Sequence, residues 1–300
     1  MSTFVPRAVP FRLGLPKGRM EQGVLTLLAD AGIRVRPSAR GYRPDVSLPG
    51  AEAKMLKPQN IVEMLALGSR DVGFAGADWV AELEAVAGGA GGADVVELLD
   101  TGLDPVQLVA AAPVALLDGG QLPKRRLIVA SEYERLTRRW IGANGLCAEF
   151  VRSYGATEVF PPEDADVIVD NTATGATLEA NGLAIVDVLM RSSTRLYAHR
   201  AALDEPVRRR FIDDLVLLIN SVLEARRRVM LEVNASAACL DAVVAVLPSM
   251  RQATVARLFG DSGYAVKAAV PRELLPQVIP AVKAAGGTDV VVSTLSQIVP

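Results

Sequence analysis

Asp166-Val-Ile-Val-Asp170-Asn-Thr-Ala-Thr174-Gly-Ala-Thr177-Leu-Glu-Ala-Asn181-Gly182-Leu183 reads as a buried strand, a small-residue turn and a helix start. The aliphatic run Val167, Ile168, Val169 ends in a carboxylate, Asp170. The turn carries Thr172, Thr174, Thr177 and Gly175, and the pattern predicts a helix beginning near Thr177. Backbone N–H groups, hydroxyls and the positive end of a helix dipole can converge there on one anion. Asp170, beside that turn, can accept hydrogen bonds from sugar hydroxyls or hold a magnesium ion. A phosphate cradle next to a carboxylate suits a ribose 5-phosphate. The same pattern also fits an ordinary strand-to-helix turn with Thr as N-cap.

Outward from that stretch, short β-rich runs alternate with helical patterns, which argues for an α/β fold. Strands are expected at 11–15, 71–76, 94–99, 106–111, 127–130, 183–189 and 194–198. Helices are expected at 20–32, 59–68, Tyr133–Ala143 and Glu205–Arg228, the last with Phe211, Leu215, Leu218, Ile219 and Val222 on one face. Arg226-Arg-Arg228 reads as a solvated helix terminus favoured by the dipole. The Ala87–Ala93 stretch is a glycine-rich loop without the Lys-Ser/Thr ending of a nucleotide-binding P-loop. From 229 onward the order changes: strand 229–234, helix 237–247, strands 253–258 and 264–270, helix 272–285, strand 289–293. That βαββαβ order is ferredoxin-like.

Near the N-terminus, Arg12-Leu-Gly-Leu-Pro16-Lys17-Gly18-Arg19-Met20 runs from a short apolar strand into two cations. Cations at the C-terminal end of a strand in an α/β protein point into the usual ligand crevice. Lys-Gly-Arg is also a common surface turn.

Three hundred residues, half of them apolar, suit two or three domains with ample core. A net charge of −2 argues against a nucleic-acid partner. Cys147 and Cys239 are far apart, each flanked by apolar residues, and read as buried free thiols rather than a disulfide. The single histidine, His199, excludes His-rich zinc sites and argues against a His-based triad; it reads as a strand-end or surface residue. Met1 to Arg12 lacks an apolar segment of signal-peptide length, and no apolar run approaches the ~18–20 residues of a membrane span, so a soluble cytoplasmic protein is expected.

The segments Leu15–Arg19, Leu56–Ile61, Asp71–Trp79, Ile128–Tyr133, Gly155–Glu158 and Asp170–Leu183 together resemble the ATP phosphoribosyltransferase family, in its long form. Val229–Leu231, Ala253–Val255, Tyr264–Val270 and Lys283–Val292 resemble the C-terminal regulatory domain of that form. The resemblance implies two lobes like those of periplasmic binding proteins. Lobe I would be 1–103 and 190–224, lobe II 104–189, and the regulatory ferredoxin-like domain 225–300. It implies transfer of phosphoribose from phosphoribosyl pyrophosphate to N1 of ATP, with Mg²⁺, feedback inhibition by L-histidine, and dimers that assemble into hexamers.

On that resemblance, Thr174, Gly175, Ala176, Thr177 and Leu178 would cradle the 5-phosphate and Asp170 would bind the ribose hydroxyls. Glu158, read at a strand end, is a second acid near the sugar. Lys17 and Arg19 would neutralise pyrophosphate or triphosphate charge, with Arg40 and Lys57 as further phosphate contacts. Asp78 and Tyr133 would meet the nucleotide, each with a surface residue or cap as the plain alternative. Mg²⁺ would arrive on the pyrophosphate, its protein ligand unknown. Glu232, Asn234 and Thr254 are the histidine-site candidates. Lys57 stands where relatives often carry arginine, which weakens bidentate phosphate recognition. Asn171 and Thr172 replace the usual aliphatic residues after Asp170, and Gly88–Ala93 matches nothing in the pattern. The alternative function is a non-catalytic paralogue acting as a ligand-binding regulatory subunit. Such a paralogue should lose Lys17-Gly-Arg19 or the threonine turn, and both are present.

Overall fold

The structure is a computed structural model and describes residues 10–37, 41–84 and 94–299. Arg40 and the Gly88–Ala93 loop lie outside the described residues. The chain forms two compact units. The first comprises residues up to 29 and 33–214; the second comprises 30–32 and 215–300.

The first unit opens with β1 (Phe11–Pro16), α1 (Glu21–Asp30), a small ladder of β2 (Val35–Arg36) and β3 (Asp45–Val46), then β4 (Ala51–Leu56). Then come α2 (Pro58–Ala66), β5 (Val72–Gly76), α3 (Ala77–Glu84) and β6 (Val95–Pro113). β7 (Leu127–Ser131), α4 (Glu134–Ala143), β8 (Ala148–Arg152), β9 (Val167–Thr172) and α5 (Ala176–Ala180) follow. β10 (Leu183–His199), α6 (Arg200–Asp204) and α7 (Pro206–Arg227) complete the series. One eight-stranded sheet results, in the order β4-β1-β5-β10-β6-β9-β7-β8. Its outer strands are parallel within each half, β4-β1-β5 and β9-β7-β8, while β6 and β10 run antiparallel to their neighbours.

Two strands expected as pairs of short pieces are therefore continuous. β6 joins the predicted 94–99 and 106–111, and β10 joins 183–189 and 194–198. Both pass through both lobes. The break seen in the sequence is a pair of facing irregularities: pairing steps from Asp100↔Arg195 to Leu103↔Thr194 to Val106↔Ser192. Asp104 takes a left-handed backbone there, with φ +47°, which a non-glycine residue adopts only at a cost. Thr194 Oγ1 holds its carboxylate at 3.0 Å.

The lobe I core packs α2 tightly on the sheet. A Cβ on Gly73 would lie 2.4 Å from Ile61 Cγ2, so glycine is what lets the helix approach. Lobe II is filled on one face by Leu127, Val129, Tyr133, Trp140, Val167 and Val169, and on the other by Ile168, Leu178 and Leu183. β4 and β8 went unread in the sequence because charged residues interrupt their apolar runs, Glu52 and Lys54 in one and Glu149 and Arg152 in the other. Cys147 is exposed, and Cys239 half-buried, so the expectation of two buried thiols is corrected; both are free. His199 does end a strand.

The architecture changes where β11 (Arg228–Ala235) begins, while the packing boundary lies within α7, between Asp214 and Leu215. After β11 come α8 (Leu240–Ala245), β12 (Thr254–Arg257), β13 (Tyr264–Pro271), α9 (Leu275–Ala284) and β14 (Thr288–Thr294). Their antiparallel sheet has the order β12-β13-β11-β14, the ferredoxin-like arrangement. Alternation along β11 sends Val229, Leu231, Val233 and Ala235 into the core and leaves Glu232 and Asn234 on the other face. α8 is shorter than the expected 237–247 helix, and Arg228 belongs to β11 rather than to the helix terminus.

Candidate active site

Strand register builds the lobe I side. β1 and β4 run parallel with Pro16 opposite Leu56, so the next residues, Lys17 and Lys57, leave adjacent strand ends on one edge of the sheet. The Lys17 amide donates to the Leu56 carbonyl at 2.8 Å, which ties the two ends together. The Lys17 ammonium sits 3.6 Å from the centre of the Tyr42 ring, a cation–π contact at the surface. Gly18 turns the chain with φ +82°, and Arg19 follows it, exposed.

The lobe II side is built around β9. Asp170 is half-buried, and its pKa is raised from 3.8 to about 6. Burial is the main cause; the Asn171 amide pulls the other way, and the charges of Glu158 and Glu132 add to the rise. Three carboxylates thus share one neighbourhood. Glu158 lies in a 3-10 turn, Thr157–Val159, not at the strand end expected from the sequence.

Beyond Asp170, Thr172 Oγ1 accepts the Gly175 amide at 2.9 Å and closes the turn. Gly175, with φ +84°, occupies the position before α5. The helix therefore starts at Ala176, and Thr177 lies inside it. Thr174, Ala176 and Thr177 are exposed at the turn, while the Leu178 side chain is in the core and can offer only its backbone.

Asp78 and Tyr133 depart most from expectation. Neither side chain meets solvent: Asp78 is 1% exposed and Tyr133 0%. The Tyr133 hydroxyl donates to Asp78 Oδ2 at 2.5 Å, and Ser192 Oγ donates to Asp78 Oδ1 at 2.6 Å. Asn171 Nδ2 in turn donates to the Tyr133 oxygen at 2.9 Å. Burial and the Asp78 charge hold the phenol well above its ordinary pKa, so it stays a donor. The pair ties lobe I to lobe II instead of facing a nucleotide. Tyr133→Phe would leave buried Asp78 without one of its donors. A stability loss of about 1–3 kcal/mol follows, read as a lower melting temperature.

Between the lobes lies a cleft of about 330 Å³ with Lys57, Glu63 and Glu82 on one wall and Glu132, Arg135 and Arg152 on the other. Glu82, Glu132, Arg135 and Arg152 were missed in the sequence, because nothing in their local spacing says that separate helices and strand ends meet. Of the predicted phosphate contacts among the described residues, only Lys57 lines this space. Glu232, Asn234 and Thr254 belong to the second unit. Across the sheet Thr254 pairs with Lys267 and Lys267 with Glu232, whose carboxylate takes the lysine at 2.9 Å. Asn234 donates to Asp289 at 3.1 Å.

Two α/β lobes share the long strands β6 and β10, with cations at one set of strand ends and an exposed hydroxyl-rich turn beside a half-buried acid; the fold is that of a two-lobed, periplasmic-binding-protein-like α/β protein. Comparison with known proteins supplies the family. Residues 57–221 match the sequence profile of ATP phosphoribosyltransferase, and 225–297 match that of the HisG C-terminal domain. An ATP phosphoribosyltransferase of Chlorobium luteolum is 34% identical over 93% of this chain and 94% of its own length. One of Pelotomaculum thermopropionicum is 34% identical over 96% and 99%. The solved ATP phosphoribosyl transferase (HisG:HisZ) complex from Thermotoga maritima is 23% identical, with a TM-score of 0.59 over 70% of this chain and 98% of that one, a likeness of fold. The chain belongs to the ATP phosphoribosyltransferase family.

Proposed function

We propose that the chain carries out its family's reaction with Asp170, the Thr174–Leu178 turn, Lys17 and Arg19. That reaction joins N1 of ATP to C1 of phosphoribosyl pyrophosphate and releases pyrophosphate, the first step of L-histidine biosynthesis. The observation that carries the assignment is Asp170: a half-buried carboxylate with a pKa of about 6, directly before a turn of exposed hydroxyls and amides.

Displacement at C1 develops positive charge on the ribose and negative charge on the leaving pyrophosphate. A carboxylate near the ring and cations near the pyrophosphate oppose those charges as they form. Asp170 suits the first role, accepting the ribose hydroxyls, with Glu158 behind it. Exposed Thr174, Ala176 and Thr177 suit the 5-phosphate, and Lys17, Arg19 and Lys57 the polyphosphates. Bringing ATP and the sugar together between groups carried by the two lobes supplies proximity, and no protein nucleophile is needed.

Mg²⁺ fits as a passenger on the substrate. Among the described residues no group of three or more His, Cys, Asp or Glu could hold a metal ion. Bound on the pyrophosphate oxygens, the ion would supply charge neutralisation to the leaving group.

The Glu232–Lys267–Thr254 row is the proposed L-histidine site, with a carboxylate for the amino group and a lysine for the carboxylate of the effector. Homo-oligomers from dimer to hexamer and a cytoplasmic location complete the reading. Among the described residues no helix is long and apolar enough to cross a membrane. The non-catalytic alternative has no observation in its favour.

The test follows phosphoribosyl-ATP formation from ATP, phosphoribosyl pyrophosphate and Mg²⁺, with and without L-histidine. Product that declines on adding histidine is the expected result. Glu232→Ala should raise the half-inhibiting histidine concentration about tenfold, the loss of one charge-assisted hydrogen bond. A rate indifferent to histidine removes the effector site and leaves the enzyme.

A further inference from the structure

α4 of lobe II begins without a cap of its own. Its first flanking residue, Tyr133, makes no side-chain bond to the helix, since its hydroxyl is committed to Asp78. The first amides of a helix need acceptors when water is excluded. They find them in the other lobe. Glu82 Oε1 accepts the Arg135 amide and Oε2 the Leu136 amide, both at 2.9 Å, and Glu82 is only 9% exposed. A carboxylate at this end of a helix also meets the favourable pole of the dipole. Arg135 reciprocates, its guanidinium donating to the Glu82 carbonyl at 3.3 Å.

Two further contacts follow the same line. Trp79 stacks on Tyr133 with ring centres 4.3 Å apart, and Asp78 holds the Tyr133 hydroxyl. Asp78 and Glu82 are four residues apart on α3 and so share one helix face. The shared strands are irregular where the lobes join, at 100–106 and 192–195, as they are again at 185–190 and 196–197. Turning one lobe against the other about that irregularity uncaps α4. Glu82 also lines the cleft wall opposite Glu132 and Arg135.

We propose that Glu82 is a positioning residue: as the N-terminal cap of the facing lobe's helix, it latches the two lobes at the separation the transfer reaction requires. It touches no substrate in this role. It acts by deciding how far Lys17 and Lys57 on one lobe stand from Asp170 and the threonine turn on the other. The inference rests on the proposed reaction being carried by residues of both lobes, and its test separates the two.

The interlobe distance is read by pulsed electron spin resonance in the full chain, without substrate. One spin label sits on native Cys147, exposed in lobe II, and the other is introduced by Leu67→Cys in lobe I, at a site 75% exposed; Cys239→Ser removes the third thiol. With Glu82 intact one narrow distance is expected. Glu82→Ala broadens the distribution, and kcat/KM declines roughly tenfold, the scale of losing a helix cap with two bonds. Saturating Mg²⁺, ATP and phosphoribosyl pyrophosphate narrows it again, so KM carries more of the loss than kcat. Glu82→Gln, which keeps one neutral acceptor, lies between the two and replaces the alanine variant if that does not fold. A distance distribution and KM unchanged by the substitution overturn the latch. An inactive wild-type chain overturns the assignment of the cleft instead, and leaves the distance measurement standing.

Discussion

Asp170→Asn lowers kcat/KM by about 10²–10³-fold, the usual cost of removing one preorganised charge from a reacting centre, and at pH 8 it raises the melting temperature. The two effects have one origin. Asp170 is held at a pKa of about 6, against 3.8 in an open chain, because burial and the neighbouring Glu158 and Glu132 disfavour its charge. Folded protein binds that proton more tightly than unfolded protein. Below about pH 3 both states hold the proton and the folded state is not penalised. As pH rises from 3.8 to about 6 the unfolded state loses the proton first, and the penalty grows. Above that window it is constant, about 3 kcal/mol at about 1.4 kcal/mol for each tenfold change in proton affinity. Asparagine carries no charge and keeps the oxygen that accepts the Asn171 amide, a bond of 2.7 Å in the wild-type chain. The gain in melting temperature should therefore be present at pH 8 and absent near about pH 3. The wild-type rate should decline as pH is lowered through about 6, as protonation removes the negative charge opposite the ribose. That limb should vanish in the variant. A melting curve that is the same for both proteins at pH 8 would remove the buried-charge account. A rate within threefold of wild type would remove Asp170 from the site.

Lys17→Ala lowers kcat/KM by about 10²-fold with little change in melting temperature. Its side chain contributes only the contact over the Tyr42 ring, which is 62% exposed, and such contacts are worth about 0.5–1 kcal/mol. Stability is thus spared. The rate is not, because in the proposed site the ammonium, at the end of β1 beside the equivalent end of β4, carries part of the charge set against the polyphosphate. Lys17→Arg should recover part of the rate, since charge is kept while the compact ammonium is replaced by a planar fork. Pyrophosphate, added as a product inhibitor, should lose affinity in the alanine variant by a similar factor. If pyrophosphate inhibits both proteins equally, Lys17 faces a different part of the substrates.

The α/β class was legible because apolar runs such as Val167–Val169 and Leu13–Leu15 are fully buried strands, and these keep their signature without tertiary help. The ferredoxin-like order was legible for a related reason: β11 alternates strictly, and its buried set is the helix-facing set. Asp170 and its turn were legible as a local pattern. Asp78 and Tyr133 were legible as unusual but not as partners, since 55 residues of chain separate two groups that meet only when the lobes do. Glu82 left no local trace at all: a glutamate late in an amphipathic helix is ordinarily solvated, and its acceptors' partners belong to a helix that starts at Glu134. β6 and β10 were cut in two because sequence periodicity lapses at Gly102–Pro105 and Ser192–Thr194, while the chain direction does not.

Those two strands have a consequence for how such a chain can be rearranged. Leu103 and Thr194 are neighbours across one ladder, so the chain between them leaves and re-enters lobe I through a doorway one strand-spacing wide, about 5 Å. Lobe II is in effect a cassette. A relative's segment with the same two end residues can be spliced in without lengthening, shortening or redirecting either flank of lobe I. Recombination at that doorway would exchange Asp170 and its threonine turn while leaving Lys17 and Lys57 in place, and a mismatch would surface at α4, whose first amides Glu82 of the other lobe accepts.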